Sequence, residues 1–174
     1  MSTAIIGTAK TTANMSENLF QKMCYAALPY IKSNELVSGG AAWGDHVAVA
    51  LFLGFPERFK LTLHLPCGFV NGQYINNGSY DWRVNPGKTT NSYHRAFSKA
   101  ANRDSLKDIQ RAISLGANIF IYDGFHKRND IVATCPNMVA FTWGKAEPED
   151  GGTLYTWNKS KANKVHISLR DLID

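Results

Sequence analysis

Between Ser16 and Ile31 the apolar residues Phe20, Cys24, Ala27 and Ile31 recur at steps of four, three and four, which places them on one face of a helix. Before it, Thr3 to Thr8 reads as a strand ending in a glycine turn, and after it Glu35 to Ser38 reads as a short apolar strand. The run from Val47 to Leu53 is apolar nearly all round and predicts a helix buried between other elements. Phe59, Leu61, Leu63 and Leu65 then alternate with Lys60, Thr62 and His64, the period of a strand with one wet face. From Pro66 to Arg95 the rhythm breaks into Gly, Asn, Pro and Ser interspersed with Phe69, Tyr74, Tyr80, Trp82 and Tyr93. This predicts an irregular, aromatic-rich insert at about 66–100, ordered by its rings and serving as a lid or wall over a site.

Ser105-Leu106-Lys107-Asp108 reads as a capping box with Asp in the acidic slot. Leu106, Ile109, Ala112 and Ile113 follow on one helical face, and Gly116 stops it. Asn118 to Tyr122 is a strand, Arg128 to Thr134 a short helix ended by Pro136, and Met138 to Trp143 another strand. Gly151-Gly152-Thr153 opens a helix to about Ala162, and Lys164 to Leu169 is the last strand. Strands alternating with helices argue for an α/β fold, a mostly parallel sheet covered on both faces as a three-layer sandwich. At 174 residues one domain spanning 1–174 is expected. Ligands of such sheets bind beyond the carboxyl ends of the strands, where strand order reverses. Four turns follow strands and belong on that edge: Gly7-Thr8, Ser38 to Gly44, Asp123-Gly124, and Trp143 to Thr153.

Within the second turn, Val37-Ser38-Gly39-Gly40-Ala41-Ala42-Trp43-Gly44-Asp45-His46 joins strand to helix through small residues. Such a junction leaves backbone N–H groups unpaired and aimed at one point, which suits an anion and most often a phosphate. It is neither G-x-G-x-x-G nor a Walker loop, and a tight turn packing helix on strand explains it about as well. Asp45 reads either as a first-turn acid complementing the helix dipole or as an acceptor for a ribose or base; Trp43 either stacks on a base or covers the helix. Arg128, followed by Asn129 and Asp130, offers a planar fork suited to phosphate, although a lone Arg is more often a surface residue. Gly151, Gly152 and Thr153 form a second anion-binding nest, with Thr153 also readable as a simple N-cap.

The chain is 44% hydrophobic, enough for a full core, and carries 19 basic against 14 acidic residues, a net charge of +5 that favours anionic partners. Its only basic cluster, Lys159, Lys161 and Lys164 with Arg170 beyond, reads more simply as a solvated helix end than as a nucleic-acid stripe. Three widely spaced cysteines, Cys24, Cys67 and Cys135, do not make a disulfide framework and are expected to be small buried hydrophobes. With no signal peptide at Met1 to Lys10 and no run near the ~20 apolar residues that span a bilayer, a cytoplasmic location and no membrane partner are expected. His46, His64, His94, His126 and His166 lack metal-like spacing, so neither metal nor cofactor is expected. No G-x-S-x-G elbow surrounds Ser38. Asp45, Asp123, Asp130, Glu147, Glu149 and Asp150 lie near the proposed edge, but nothing selects a catalytic pair among them; Asp45 is the candidate acid.

Four segments in this order resemble the SLOG superfamily, the Rossmann-like group of Lonely Guy phosphoribohydrolases, the DNA-processing protein A domain and YpsA-related proteins, and the YpsA-like branch most closely. They are Ile5-Ile6-Gly7-Thr8, Val37 to Asp45, Gly124 to Val132, and Met138 to Phe141 leading to Gly151-Gly152-Thr153. The resemblance spans nearly the whole chain apart from the insert. It implies a nucleotide pocket bounded by Gly7, Thr8, Ser38, Gly39, Gly40, Trp43, Gly44 and Asp45, with Arg128 and Asn129 beside it and Gly151, Gly152 and Thr153 as the second glycine turn. One departure matters. The phosphoribohydrolases carry G-G-x-G-T-x-x-E there, and Gly151 to Trp157 holds no equivalent Glu. The first expectation is therefore a sensor or sequestering module for a nucleotide-derived small molecule of the ADP-ribose or cyclic-nucleotide type. The second is an enzyme cleaving or transferring at a nucleotide N-glycosidic bond. The third is single-stranded nucleic-acid binding, which the scattered basic residues disfavour. Self-association as a homo-oligomer is plausible through the Val47–Leu53 helix or the insert.

Overall fold

The computed structural model describes residues 1–149 and 151–173. Its core is a six-stranded, wholly parallel sheet. The strands are β1 (Thr3–Gly7), β2 (Glu35–Ser38), β3 (Lys60–Leu65), β6 (Asn118–Ile121), β7 (Asn137–Thr142) and β8 (Asn163–Ser168), with a separate two-stranded hairpin of β4 (Phe69–Val70) and β5 (Gln73–Tyr74). The sheet order is β6-β3-β2-β1-β7-β8. The chain thus walks outward from β1 on one side and returns on the other, placing the reversal between β1 and β7. The helices are α1 (Glu17–Ala27), α2 (His46–Gly54), α3 (Pro86–Ala100), α4 (Ser105–Ser114), α5 (Phe125–Val132) and α6 (Gly151–Lys159).

Alternation along the strands builds the two faces. Ile5, Leu36, Leu61, Leu63 and Leu65 pack into a large core with α1 to α4, whereas Ala4, Ile6, Val37, Met138 and Ala140 meet Val132 of α5 and Trp157 of α6. The chain is therefore a Rossmann-like α/β sandwich of three layers, as its periodicity predicts. The all-apolar α2 is buried as expected, with Val47, Ala48 and Val49 fully enclosed. Helix α1 stops earlier than its periodicity suggests, because Pro29 converts the chain to a 3₁₀ turn over Leu28–Tyr30.

Two local expectations are corrected. The cap of α4 is Asp104, whose side chain accepts from the Lys107 N–H at 3.2 Å. Ser105 and Asp108 are turned inward instead. The Asp108 carboxylate accepts from His46 Nε2 at 3.0 Å and from Arg103 Nε at 2.9 Å. The insert is not irregular throughout, since its second half is the fifteen-residue α3. Its helical period is hidden because the buried face carries polar Thr90, Asn91 and His94 beside Phe97. Each of the last two polar groups finds partners. Asn91 exchanges two hydrogen bonds with the backbone of Tyr74, at 2.9 and 2.8 Å. His94 Nε2 donates to the Gly40 carbonyl at 2.9 Å, which leaves Nδ1 to accept from the Ser105 hydroxyl at 2.8 Å.

His94 has a consequence for pH. Burial, aided by the neighbouring His46 ring, pushes its affinity for a proton down to about 3. A histidine shifted down stabilises the fold above its ordinary value near 6.5 and loses that contribution as pH falls towards the shifted one. Urea denaturation should show stability falling below about pH 6.5 by roughly 1.4 kcal/mol per pH unit for this group alone. The slope should flatten in His94→Gln.

Candidate functional site

A cleft of about 440 Å³ opens at the carboxyl ends of β1 and β7, where the strand order reverses. Gly7, Thr8 and Ala9 at the end of β1 form one wall, and Gly39, Ala41 and Asp45 of the turn after β2 form the next. Arg128 and Asn129 of α5 lie behind. Gly151, Gly152 and Thr153, the first residues of α6, close it from the β7 side. The two glycine-rich bends thus border one cavity.

Two glycines set its floor by close backbone approach. A Cβ on Gly44 would stand 2.4 Å from the Gly7 Cα, and one on Gly7 would stand 2.4 Å from the Phe141 carbonyl oxygen. The Gly44 N–H donates to the Thr8 carbonyl at 3.1 Å, pinning the turn to the end of β1. Gly39 is bare for a different reason: a Cβ there would lie 2.6 Å from both Arg128 Nη1 and Asp45 Oδ2. Only hydrogen lets that pair lie against the turn.

The pair is buried, with Arg128 at 6% exposure. Arg128 Nη1 donates to the Gly39 carbonyl and stands 4.0 Å from Asp45 Oδ2, while its Nε donates to Asn129 Oδ1 at 2.6 Å. Asp45 Oδ2 also accepts from the Ala41 N–H at 3.2 Å. Burial pushes the Asp45 carboxyl up from its ordinary value; the Arg128 charge and the N–H groups of Ala41, Gly7 and Gly39 oppose that rise. Two donors stay unused among the described residues, Arg128 Nη2 and Asn129 Nδ2. The Asn129 orientation is fixed, because its oxygen must face the donor-only arginine. Its amide nitrogen therefore points towards Gly152, 3.3 Å from where a Cβ of that residue would be. The Asn129 amide thus meets the opening turn of α6, whose first turn holds no acid to offset its dipole.

Four residues read as ligand-binding do not border the cleft. Ser38 is fully buried, donates to the Asp45 carbonyl at 2.8 Å and accepts from the Gly40 N–H at 3.1 Å, so it holds the turn together. Gly40, at φ +75°, faces the insert, where its carbonyl accepts from Tyr74 Oη at 2.6 Å as well as from His94. Gly44 is occupied by Gly7. Trp43, at φ +53°, turns into the core against Phe20 and Phe97, and its indole N–H donates to Thr11 Oγ1 at 2.9 Å. It is enclosed by protein and unable to stack on a base.

Among the candidate acids, Asp45 and Glu149 border the cleft. Asp130 accepts instead from Tyr155 Oη at 2.6 Å and Lys159 Nζ at 2.8 Å. Asp123 lies in a separate groove with Cys67, Glu147 is exposed, and Asp150 lies outside the described residues. Sequence reasoning missed Lys10, Thr12, Thr90 and Thr142 on the cleft wall, where Tyr93 of the aromatic insert and Trp143 of the fourth turn also stand. The first two follow the Gly7-Thr8 turn directly, a signal within reach; Thr90 and Tyr93 belong to the concealed α3. Lys164 Nζ donates to the carbonyls of Trp157 and Ser160 at 2.9 and 3.1 Å, which accords with a solvated helix end. The three cysteines are free, and Cys135 is buried. Among the described residues no helix is long and apolar enough to cross a membrane, and no group of three His, Cys, Asp or Glu is arranged to hold a metal.

Over 167 residues the chain is 36% identical to the uncharacterized protein R261 of Acanthamoeba polyphaga mimivirus, an overlap covering 89% of this chain and 86% of that one. The chain belongs to the family of that mimivirus protein. No family model matches it. The mimivirus relative carries no named activity, so the chemistry of the cleft rests on the geometry above.

Proposed function

We propose that the cleft binds the phosphate of a nucleotide or nucleotide-derived ligand, of the ADP-ribose or cyclic-nucleotide type, and that the protein is a sensor or sequestering module of the SLOG superfamily. One observation carries this reading. The Gly39 turn and the start of α6 border a single cleft at the β1/β7 reversal, with the unused donors of Arg128 and Asn129 between them. A helix start with convergent N–H groups beside a guanidinium is a site for a phosphate. Titration calorimetry with ADP-ribose should give a saturable isotherm, with the ligand recovered at unchanged mass. Absence of any isotherm with ADP-ribose, AMP and a cyclic nucleotide would overturn the reading.

A second reading, cleavage at an N-glycosidic bond, draws on the shared presence of Asp45 and Glu149 on the cleft wall. In it, a protonated Asp45 donates to the leaving base while water attacks the sugar carbon and gives its proton to the Glu149 carboxylate. Incubation with nucleoside monophosphates and NAD would then release free base, and Asp45→Asn would abolish that release. The clamping of Asp45 by Arg128 and the Ala41 amide favours a structural carboxylate, and hence the first reading.

A further inference from the structure

Beside the cleft runs a second cavity, of about 620 Å³, between the insert, α5 and α6. Its walls are rings: Trp82 and Tyr93 from the insert, Phe125 and His126 from α5, and Tyr155 from α6. Trp82 lies 6.2 Å from Phe125 and 6.3 Å from His126, and His126 lies 5.1 Å from Tyr155, centroid to centroid. These rings are not core, since Trp82 is 49% exposed. The two cavities share a waist formed by Arg128, Asn129, Gly151 and Gly152. We propose that this aromatic trough is the subsite for the nucleobase, so that the ligand lies with its ring among Trp82, Tyr93 and Tyr155, its phosphate at the waist, and any second sugar in the cleft. The inference rests on the phosphate reading above and adds the end of the ligand that the cleft does not hold.

The waist selects this occupant over other guests of an aromatic trough. A quaternary ammonium would face the cationic Arg128 at the inner end, and Lys159 Nζ stands 5.5 Å from the Tyr155 ring. An apolar peptide side chain would leave the unused donors of Arg128 and Asn129 unmatched. A planar ring tethered to a phosphate satisfies both ends, and every base offers a π-face to stack. The Thr89 hydroxyl and the His126 imidazole on the trough wall are polar groups at hand for a base edge.

The test compares AMP with ribose 5-phosphate, which keeps the phosphate and sugar and lacks the base. By calorimetry the wild type should prefer AMP by about tenfold, as one stacked base warrants. Trp82→Ala should bring that ratio close to one, and Trp82→Phe should keep most of it. Tryptophan emission should be quenched by AMP in the wild type and respond less in Trp82→Phe, reading the same contact with a ring still in place. If the wild type binds both ligands equally, the trough assignment falls while the cleft reading stands. If AMP is preferred and Trp82→Ala preserves the ratio, the base lies elsewhere and the assignment is overturned. If neither ligand binds, the trough assignment falls, and the cleft reading is decided separately by ADP-ribose and a cyclic nucleotide.

Discussion

Arg128→Met should destabilise the protein by about 3–5 kcal/mol at neutral pH, because it leaves a buried carboxylate without its counter-charge. The guanidinium is the one full charge holding Asp45 down against burial. Without it the Asp45 carboxyl rises further above its ordinary value. A carboxyl shifted upward in the folded state stabilises most below its unfolded value, and that contribution is lost as pH rises through the folded one. The deficit of Arg128→Met should therefore be wider at neutral pH than at acidic pH, in urea denaturation of variant and wild type side by side. The slope due to His94 is common to both proteins and cancels in the difference. Adding Asp45→Asn to Arg128→Met should recover part of the loss at neutral pH, since an amide needs no counter-charge. An equal deficit at both pH values, with no recovery in the double variant, would mean that the arginine acts through packing alone. Ligand binding should disappear in either case, because the donor fork at the waist is gone.

Gly44→Ala should cost at least about 3 kcal/mol, at the upper end of what one added methyl does in a packed interior. The new Cβ would stand 2.4 Å from the Gly7 Cα and 2.6 Å from the Gly7 nitrogen, and both belong to backbone in the middle strand of the sheet. No side chain is there to move aside. In a domain of this size the midpoint of thermal unfolding should drop by roughly 6–12 °C. Gly54→Ala is the matching control. Nothing lies within 4 Å of a Cβ at Gly54, so a helix-end methyl there should be neutral or slightly stabilising. A small effect at Gly44 would show that the turn and the end of β1 are able to part, and the cleft floor described above would have to be redrawn.

The order of strands and helices was legible because each core strand declares itself over a few residues. Leu61, Leu63 and Leu65 alternate with wetter neighbours, and Val139 and Ala140 sit in a run buried on both faces. The cleft edge followed from the rule that parallel strands deliver their turns to one side. What stayed hidden was hidden by buried polarity. Helix α3 presents Thr90, Asn91 and His94 inward, so its apolar period is too sparse to read, although Asn91 and His94 are each satisfied by two hydrogen bonds. Trp43 was left open by the sequence. Beside a glycine turn it reads either as a stacking platform or as a cover for the helix, and its left-handed backbone swings the indole into the core against Phe97. The bond between Arg128 and the Gly39 carbonyl joins residues 89 positions apart, beyond the reach of any local pattern.

The placement of β1 between β2 and β7 bears on how the protein is made. Strand β1 can pair with β2 early in synthesis, but its other edge, from Thr3 with Asn137 to Gly7 with Phe141, waits until β7 has emerged. Until then the strand carries an open edge, the kind of surface that chaperones shield and neighbouring chains capture. A polypeptide ending before β7 holds the Gly7, Gly39 and Arg128 walls of the cleft and lacks the start of α6, so the cleft is complete only once α6 is in place.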